Sequence, residues 1–172
     1  MLYLKPLSPE DGEDIYKLLQ EIGTNENGFH NDVYGKSYEE YRRWLAREVR
    51  FDRGELEDWM MPQSSYWLFD GRHPVGYGRL RHRLNDSLRE TSGHIGYAIR
   101  SSERGRGYGR ELLRLLVAEC DRLGIDPVQV GANADNARSN RVILANGGVL
   151  IDTRNGKNFY HITRSTAERN SI

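Results

Sequence analysis

Apolar and polar residues alternate through the first segment of the chain, LYLKPL, as in a strand with one buried face. The next apolar positions follow the spacing of a helix instead, and they are Ile15, Leu18, Leu19 and Ile22. Ser8 can cap this helix, and Asp11 can serve as its capping-box partner. The pattern therefore predicts a strand followed by a helix at the N-terminus.

A second helix is predicted where Ser37 and Glu40 form a capping box in front of an apolar stripe. The stripe, which we interpret as core or as the wall of a groove, consists of Tyr41, Trp44, Leu45 and Val49. Residues 23–36, between the two helices, form a polar loop longer than most connections in compact domains. Such loops are often functional, although an ordinary surface loop has the same composition.

Three strands are predicted in the middle of the chain. The segments SYWLFD and PVGYGRLRH are typical of two strands joined by a turn through Gly71 and Pro74. The third strand is HIGYAIR, residues 94–100, after the polar connection RLNDSLRETS. We expect these strands to form an antiparallel meander.

The C-terminal half begins with the glycine- and arginine-rich loop RGRGYGR, and a helical pattern follows it directly. The apolar face of that helix, which Gly124 is expected to end, consists of Leu112, Leu113, Leu116, Val117, Cys120 and Leu123. A strand, PVQVGA, precedes a helix over about residues 136–146, with Asp135 as the expected cap and Gly147 as the expected stop. The dipeptide Asn155-Gly156 then predicts a closing hairpin.

The order of these elements predicts a mixed α/β protein with a central mixed sheet flanked by helices. The strands at 94–100 and 128–132 are linked by a helix, so we expect them to be parallel neighbours. No repeat or internal boundary interrupts the pattern, which predicts one domain over residues 1–172. The last segment, 165–172, is expected to fray.

Composition narrows the classes of partner. Lys plus Arg and Asp plus Glu both number 25 in 172 residues, so the net charge of zero argues against a nucleic-acid binder. No apolar run approaches the ~20 residues needed to span a membrane. The N-terminal segment lacks the pattern of a signal peptide, and the single Cys120 favours a reducing compartment, so we expect a cytoplasmic protein.

The loop at 104–110 is the strongest candidate for chemistry. Glycines let another group approach the backbone, and a helix that starts there offers unpaired N–H groups to an anion such as a pyrophosphate. Arg104, Arg106 and Arg110 add positive charge, although a flexible turn with solvated arginines has the same sequence. A P-loop is excluded because no Gly-Lys-Ser/Thr follows, and a Rossmann fingerprint because Arg110 stands where its third glycine belongs.

The segment Arg104-Gly105-Arg106-Gly107-Tyr108-Gly109 does fit the R/Q-x-x-G-x-G/A signature of the GNAT (GCN5-related N-acetyltransferase) superfamily. A later segment, DNARSNRVILANGG, resembles the second cofactor-contacting helix of that family. The chain is similar to GNAT proteins over nearly its whole length, in a branch known mainly as predicted bacterial acetyltransferases. The resemblance implies the GNAT (acyl-CoA N-acyltransferase) fold.

The resemblance also implies where acetyl-CoA, the coenzyme A cosubstrate, would bind. The backbone from Gly105 to Arg110, including Arg106, Gly107, Tyr108 and Gly109, would hold its pyrophosphate. The pantetheine arm would lie along Tyr97, Ala98 and Ile99, in a gap between two diverging strands. Asn136 and Ser139 would contact the cofactor from the other side, unless Asn136 only caps a helix and Ser139 is an ordinary surface hydroxyl.

The implied activity is N-acetylation of a primary amine, on a small molecule or a protein, by direct attack on the thioester. His94 and Tyr97 are candidates for general base or acid, but their separation on one strand puts them on opposite faces. The same holds for Tyr160 and His161. No metal-ligand cluster and no Ser-His-Asp arrangement is apparent. The family includes many homodimers, and the sequence leaves the oligomeric state open.

Two departures from the family pattern keep an alternative open. Many members carry a tyrosine acid where this chain has Ile143, and an aromatic residue where it has Gly148. A non-catalytic acyl-CoA-binding sensor or regulatory module is therefore the second hypothesis, and nucleotide binding by the same loop is a weaker third. The acidic residues Glu55, Glu57 and Asp58 either attract a cationic amine or form a solvated patch.

Overall fold

The computed structural model describes residues 1–164, so the segment 165–172, expected to fray, lies outside the described residues. The helices are α1 (Glu13–Leu19), α2 (Tyr38–Asp52), α3 (Asp86–Thr91), α4 (Tyr108–Arg122) and α5 (Ala137–Ala145). The strands are β1 (Leu2–Pro6), β2 (Gln63–Asp70), β3 (His73–Arg81), β4 (Ile95–Ile99), β5 (Val128–Asn133), β6 (Val149–Arg154) and β7 (Lys157–Ile162). Short 3₁₀ turns lie at Glu26–Gly28 and Ser101–Glu103.

The strands form two hydrogen-bonded sheets, in the orders β1-β2-β3-β4 and β5-β7-β6. Every ladder in them is antiparallel, which confirms the meander and the closing hairpin. Asn155 and Gly156 adopt φ values of 52° and 74°, the left-handed conformation expected of that tight turn. Gly71 lies in the turn between β2 and β3 as predicted, whereas Pro74 is already part of β3.

The predicted parallel pairing of β4 with β5 is only partly realised. The two strands meet where they start, because the His94 backbone N–H donates to the Gln129 carbonyl oxygen at 2.8 Å. A Cβ at Gly93 would lie 2.5 Å from that same oxygen, so only glycine permits this approach. Beyond this point none of the described ladders joins β4 to β5, and the strands separate.

Two clusters of buried side chains hold the sheets and helices together. One packs α4 and α5 against both sheets and includes Leu112, Leu116 and the fully buried Cys120. Burial raises the pKa of the Cys120 thiol to about 12, in keeping with its predicted place on the apolar face of α4. The other cluster packs α1 and α2 on the opposite face of the first sheet, around Trp67 and Tyr77.

The starts of the helices agree only in part with the expected caps. Ser37 and Glu40 form the predicted capping box of α2. The Asp11 carboxylate does accept from the Ser8 N–H at 2.8 Å, as its predicted capping role requires, and it also accepts from Trp67 Nε1 at 2.7 Å. Helix α1 nevertheless begins only at Glu13, after Gly12, and not at Ser8. Helix α5 is capped by Asn136, not by Asp135, and the Asn136 side chain accepts from the Ser139 N–H at 3.2 Å. Gly124 and Gly147 end α4 and α5 as predicted, with φ values of 73° and 84°.

Candidate functional site

The separation of β4 from β5 opens a cavity of about 570 Å³. One end is lined by the loop before α4 and by the start of α5, and the other by β3, the residues just before β4 and the polar loop around Phe29. Of the sequence-predicted residues, those that line it are Tyr97, Ala98, Ile99, Arg104, Gly105, Gly107, Tyr108, Gly109, Arg110, Asn136 and Ser139. His94 and Arg106 do not line it.

The glycine loop leaves the N-terminus of α4 uncovered. Gly105 and Gly107 have φ values of 79° and 84°, and a Cβ added at either would meet nothing within 4 Å. Gly107 is the N-cap residue of α4, and no side chain caps the helix there. The first N–H groups of a helix have no partner within it, so this end offers positive potential and free donors to an anion.

The arginines of the loop have different partners. Arg104 is tied back to the protein, because its Nε donates to the Ile99 carbonyl oxygen at 2.9 Å and its guanidinium pairs with Glu26. The Arg106 side chain turns outward and pairs with Glu103 at 3.0 Å, so a cofactor contact of this residue would come from its backbone N–H. Arg110 lines the cavity, and within residues 1–164 no carboxylate lies within 4.0 Å of its guanidinium.

Sequence reasoning missed two further arginines, Arg138 and Arg141, which line the same end of the cavity. Neither forms an ion pair with a described carboxylate. Their three-residue spacing at the start of α5 places them on one helix face, which was the available signal. With Arg110 they surround the open end of α4 with positive charge.

Tyr97 and Ser139 meet across the cavity. The Tyr97 hydroxyl lies 2.8 Å from Ser139 Oγ, which connects β4 to the first turn of α5. Burial raises the pKa of Tyr97 to about 12, against the smaller opposing effect of this hydrogen bond, so the phenol is protonated at neutral pH. Asn136 caps α5 and also lines the cavity, so its two suggested roles are compatible.

His94 lies outside the cavity and holds the strands together. Its Nδ1 accepts a hydrogen bond from the Gln129 N–H at 2.9 Å, beside the backbone bond that joins the starts of β4 and β5. Burial, followed by the neighbouring His161, lowers the pKa of His94 to about 4. A neutral ring whose lone pair is already engaged is a poor base, and we assign it no catalytic role. Tyr160 and His161 also lie outside the cavity lining.

The two departures from the family pattern lie against each other in the structure. Ile143 is fully buried, and a Cβ at Gly148 would lie 2.5 Å from its Cγ2 and 2.8 Å from its carbonyl oxygen. An aromatic side chain at 148 would therefore clash with the backbone of α5. Local packing therefore accounts for the absence of the usual aromatic residue at 148.

The polar loop at 23–36 contributes the other wall of the cavity. Phe29 packs edge-on against Tyr77, with ring centroids 5.3 Å apart, and lies over Gly96 of β4. His30 also lines the cavity, and its Nε2 lies 2.6 Å from Asp32 Oδ1. This histidine was missed because nothing in a lone His within a polar loop distinguishes it from a surface residue.

Two other polar segments contribute less to the cavity. The acidic residues Glu55, Glu57 and Asp58 do not line the cavity, and Glu55 pairs with Arg50 at 2.9 Å, so the solvated patch is the better interpretation. Of residues 82–92, Thr91 and Ser92 line it. Within residues 1–164, no three His, Cys, Asp or Glu side chains are grouped closely enough to hold a metal ion. No helix in that part of the chain is long and apolar enough to cross a membrane.

The order of elements, the diverging strands and the glycine loop before α4 define the acyl-CoA N-acyltransferase fold. The family model of the acetyltransferase (GNAT) domain matches residues 1–149. The chain therefore belongs to the GNAT acetyltransferase family, as the sequence motifs predicted. No curated protein matches it by sequence.

Solved structures share this fold. RimL, a ribosomal L7/L12 alpha-N-protein acetyltransferase in complex with coenzyme A, is 18% identical with a TM-score of 0.71, covering 94% of this chain and 93% of its own. The aminoglycoside acetyltransferase AAC(6')-Ib, also with coenzyme A, is 18% identical with a TM-score of 0.69, covering 100% of both chains. The Campylobacter jejuni N-acetyltransferase PseH, with acetyl coenzyme A, is 11% identical with a TM-score of 0.62, covering 95% of this chain and 99% of its own.

The position of His94 predicts a pH-dependent stability. Its pKa is lowered from 6.5 to about 4 in the folded state, so the unfolded chain binds the proton more readily. This contribution to stability is present above pH ~6.5 and is lost as the pH falls towards ~4. The variant His94→Asn keeps an acceptor near the Nδ1 position. Between pH 7 and 4.5, we expect its free energy of unfolding to fall by about 2 kcal/mol less than that of the wild type.

Urea unfolding of both proteins at the two pH values measures this difference. His30→Asn is the control, because the ring of His30 is mostly exposed, and it should follow the wild type. Equal losses in wild type and His94→Asn would contradict the structural role of His94.

Proposed function

We propose that the protein is an acetyl-CoA-dependent N-acetyltransferase that acts on a primary amine of a small molecule or a protein. The observation that carries the proposal is the uncapped N-terminus of α4, which Gly105 and Gly107 open onto one end of the cavity. At that end Arg110, Arg138 and Arg141 line the cavity without ion pairs among the described residues. This end would hold the diphosphate of coenzyme A. The coenzyme A in RimL and the acetyl coenzyme A in PseH support this choice of ligand.

The gap between β4 and β5 fits the rest of the cofactor. One edge of β4 pairs with β3, whereas its other edge is left without a ladder partner in the described structure. Extended amides such as those of the pantetheine arm can pair with a free strand edge. The acetyl end would then point towards the wall formed by Phe29 and His30, where the acceptor would bind.

Acetyl-CoA supplies a thioester: the amine nitrogen attacks its carbonyl carbon, a C–N bond forms, and the C–S bond breaks to release the thiolate. An alkylamine has a pKa near ~10.4, so a group must take its proton at neutral pH. We assign this step to His30, whose ring is already oriented by Asp32. We assign protonation of the thiolate to Tyr97, whose hydroxyl lines the cavity and is protonated at neutral pH.

The second hypothesis, a non-catalytic acyl-CoA-binding module, is favoured by one observation, the replacement of the usual tyrosine acid by Ile143. Both hypotheses predict binding of coenzyme A, but only an enzyme releases free thiol from acetyl-CoA when an acceptor is added. A thiol-release screen over amines, polyamines, amino acids and peptides therefore separates them. Its range is broad because RimL acts on a protein and AAC(6')-Ib is an aminoglycoside acetyltransferase.

A charge placed in the glycine loop tests the binding site. We expect Gly107→Glu to abolish binding of coenzyme A in calorimetry, because the carboxylate would occupy the open space above the helix and repel the diphosphate. Gly54→Glu is a matched control, since Gly54 also has a positive φ of 91° and open space around it but lies outside the cavity. Unchanged affinity in Gly107→Glu would remove the loop from the site, and a similar loss in the control would ascribe the effect to backbone strain.

Removal of the Tyr97 hydroxyl tests the acid. We expect Tyr97→Phe to lower kcat by about 100-fold, near the lower limit for general acid catalysis because a thiolate is a moderately weak base. The KM for acetyl-CoA should change little, and steady-state kinetics with the best acceptor from the screen measure both. A Ser139→Ala variant is the comparison, because it keeps the phenol and removes only its partner. A normal kcat in Tyr97→Phe would show that solvent protonates the thiolate.

Replacement of His30 tests the base. We expect His30→Gln to lower kcat at pH 7, with the defect shrinking as the pH approaches the ~10.4 of the amine, because a deprotonated amine needs no base. A pH–rate profile measures this change. The control is His82→Gln, since His82 bonds to Ser64 at 2.8 Å and does not line the cavity. A defect of equal size at every pH would assign His30 to packing or positioning instead.

A further inference from the structure

Two arginines on β3 line the acceptor end of the cavity, and the proposed reaction uses neither. Arg79 and Arg81 are two residues apart on a strand, so both project from the same face of the first sheet. They share that face with Tyr77, while Leu80 between them is buried in the core on the other side. Both are partly buried and both line the cavity.

Their positive charges have no acidic partner at close range. Arg79 Nη2 donates to the Tyr77 hydroxyl at 3.0 Å, while its Nε is buried with no hydrogen-bond partner in the described part of the chain. Arg81 Nη1 donates to the Gly93 carbonyl oxygen at 3.2 Å. Across residues 1–164, no carboxylate oxygen lies within 4.0 Å of either guanidinium.

The nearest acidic side chains do not form ion pairs with these arginines. Glu48 and Asp52 act on Arg79 from a greater distance. The Asp52 oxygens already accept hydrogen bonds from the Gln63 side chain and from the Ser65 N–H and hydroxyl, at 2.9–3.1 Å. Burial, with a further effect of the charge on Arg79, lowers the pKa of Arg81 to about 10, so both guanidiniums remain charged at neutral pH.

The carboxylates that line the cavity are also engaged. Glu26 pairs with Arg104, and Glu103 pairs with Arg106 and His73. Among the described residues, Glu26 and Glu103 are the acidic residues that line the cavity, and both lie beside the glycine loop. The acceptor end is therefore cationic and offers no free described carboxylate to a positively charged amine.

This cationic pair is separate from the proposed diphosphate site. Arg79 and Arg81 adjoin Gly96 and His94, where β4 starts, and the glycine loop follows the end of β4. A strand of this length spans about 13 Å. One ligand anion at the loop would therefore leave the pair on β3 unneutralised.

We propose that the amine acceptor carries an anionic group, a carboxylate or a phosphate, which binds between Arg79 and Arg81. The proposal rests on the proposed acetyltransferase function and specifies its substrate class. A planar guanidinium pairs with two oxygens of such a group at once, and the unpartnered Nε of Arg79 provides a ready donor. The same positive charges disfavour the protonated form of a nearby amine, which raises the fraction of nucleophile.

Matched acceptors test the proposal. The panel consists of ω-amino acids from glycine to 6-aminohexanoate and the corresponding aminoalkylphosphonates, each compared with the neutral ω-amino amide of the same length. We expect kcat/KM, measured by thiol release, to be higher for the best acidic acceptor than for its neutral partner by at least about tenfold, the effect of one charge-assisted hydrogen bond. Carboxylates and phosphonates together distinguish the two kinds of anion.

Variants assign the preference to the arginines. Arg81→Gln should remove the preference by raising the KM for the acidic acceptor, while the KM for acetyl-CoA stays constant. Arg81→Lys should keep part of the preference because it keeps the charge. Arg83→Gln is the matched control, since Arg83 is exposed and does not line the cavity, and it should behave as wild type. Arg79→Gln is interpreted only if its urea unfolding curve matches that of wild type.

Failure of this inference can be told from failure of the proposed function. Turnover that is equal or better with neutral or cationic amines would overturn the anionic acceptor and leave the acetyltransferase intact. If no amine is turned over, the anion site is tested separately by binding. Calorimetry then compares the affinity of the coenzyme A-loaded protein for 6-aminohexanoate with its affinity for the corresponding amide. Preferential, Arg81-dependent binding of the acid supports the anion site, and equal or absent binding of the two overturns it.

Discussion

The close contact between the starts of β4 and β5, and their separation immediately afterwards, determines where the rest of the site lies. Gly93 lets the backbone approach the Gln129 carbonyl oxygen, and His94 adds a second bond to the Gln129 N–H. From there one edge of β4 is left without a ladder partner in the described structure, and unpaired backbone groups in a protein interior are costly. A strand edge that ends at an uncapped helix therefore needs an extended, polar ligand with an anionic end, and the family supplies a molecule of that shape.

The important feature of the charges in this protein is where they lie, not their net value. The formal net charge is zero, yet arginines are concentrated around the cavity at both ends of β4. At the loop end, Glu26 and Glu103 neutralise Arg104 and Arg106, which leaves the helix terminus and the arginines around it to face a ligand. Charge segregated in this way gives specificity that overall composition does not reveal.

Much of the fold could be predicted because it depends on local signals. The capping box of α2, the Asn155-Gly156 turn and the glycines after α4 and α5 act over a few residues, and each was confirmed. The expected caps that were wrong failed for two reasons, one of them local, since Asn136 and not its neighbour Asp135 caps α5. Ser8 was expected to cap α1 with Asp11 as its partner. The Asp11 carboxylate does accept from the Ser8 N–H, but it also accepts from Trp67, which is 56 residues away in sequence, and the helix begins only at Glu13. The glycine loop could be recognised for the same local reason, whereas Arg79 and Arg81 look like ordinary polar positions of an alternating strand until the cavity is seen.

The surroundings of Gly148 and Ile143 show why a missing family residue does not by itself indicate lost chemistry. A Cβ at 148 would lie 2.8 Å from the Ile143 carbonyl oxygen, so the α5 backbone excludes an aromatic side chain there. Ser139 lies one helical turn before Ile143, and the Tyr97 hydroxyl reaches it from β4. A phenol is therefore present beside the same helix, on a strand and not on α5. Because a proton donor is defined by where its hydroxyl lies and not by the position of its Cα, Ile143 alone does not argue for a non-catalytic protein, and Tyr97 is the donor that we propose instead.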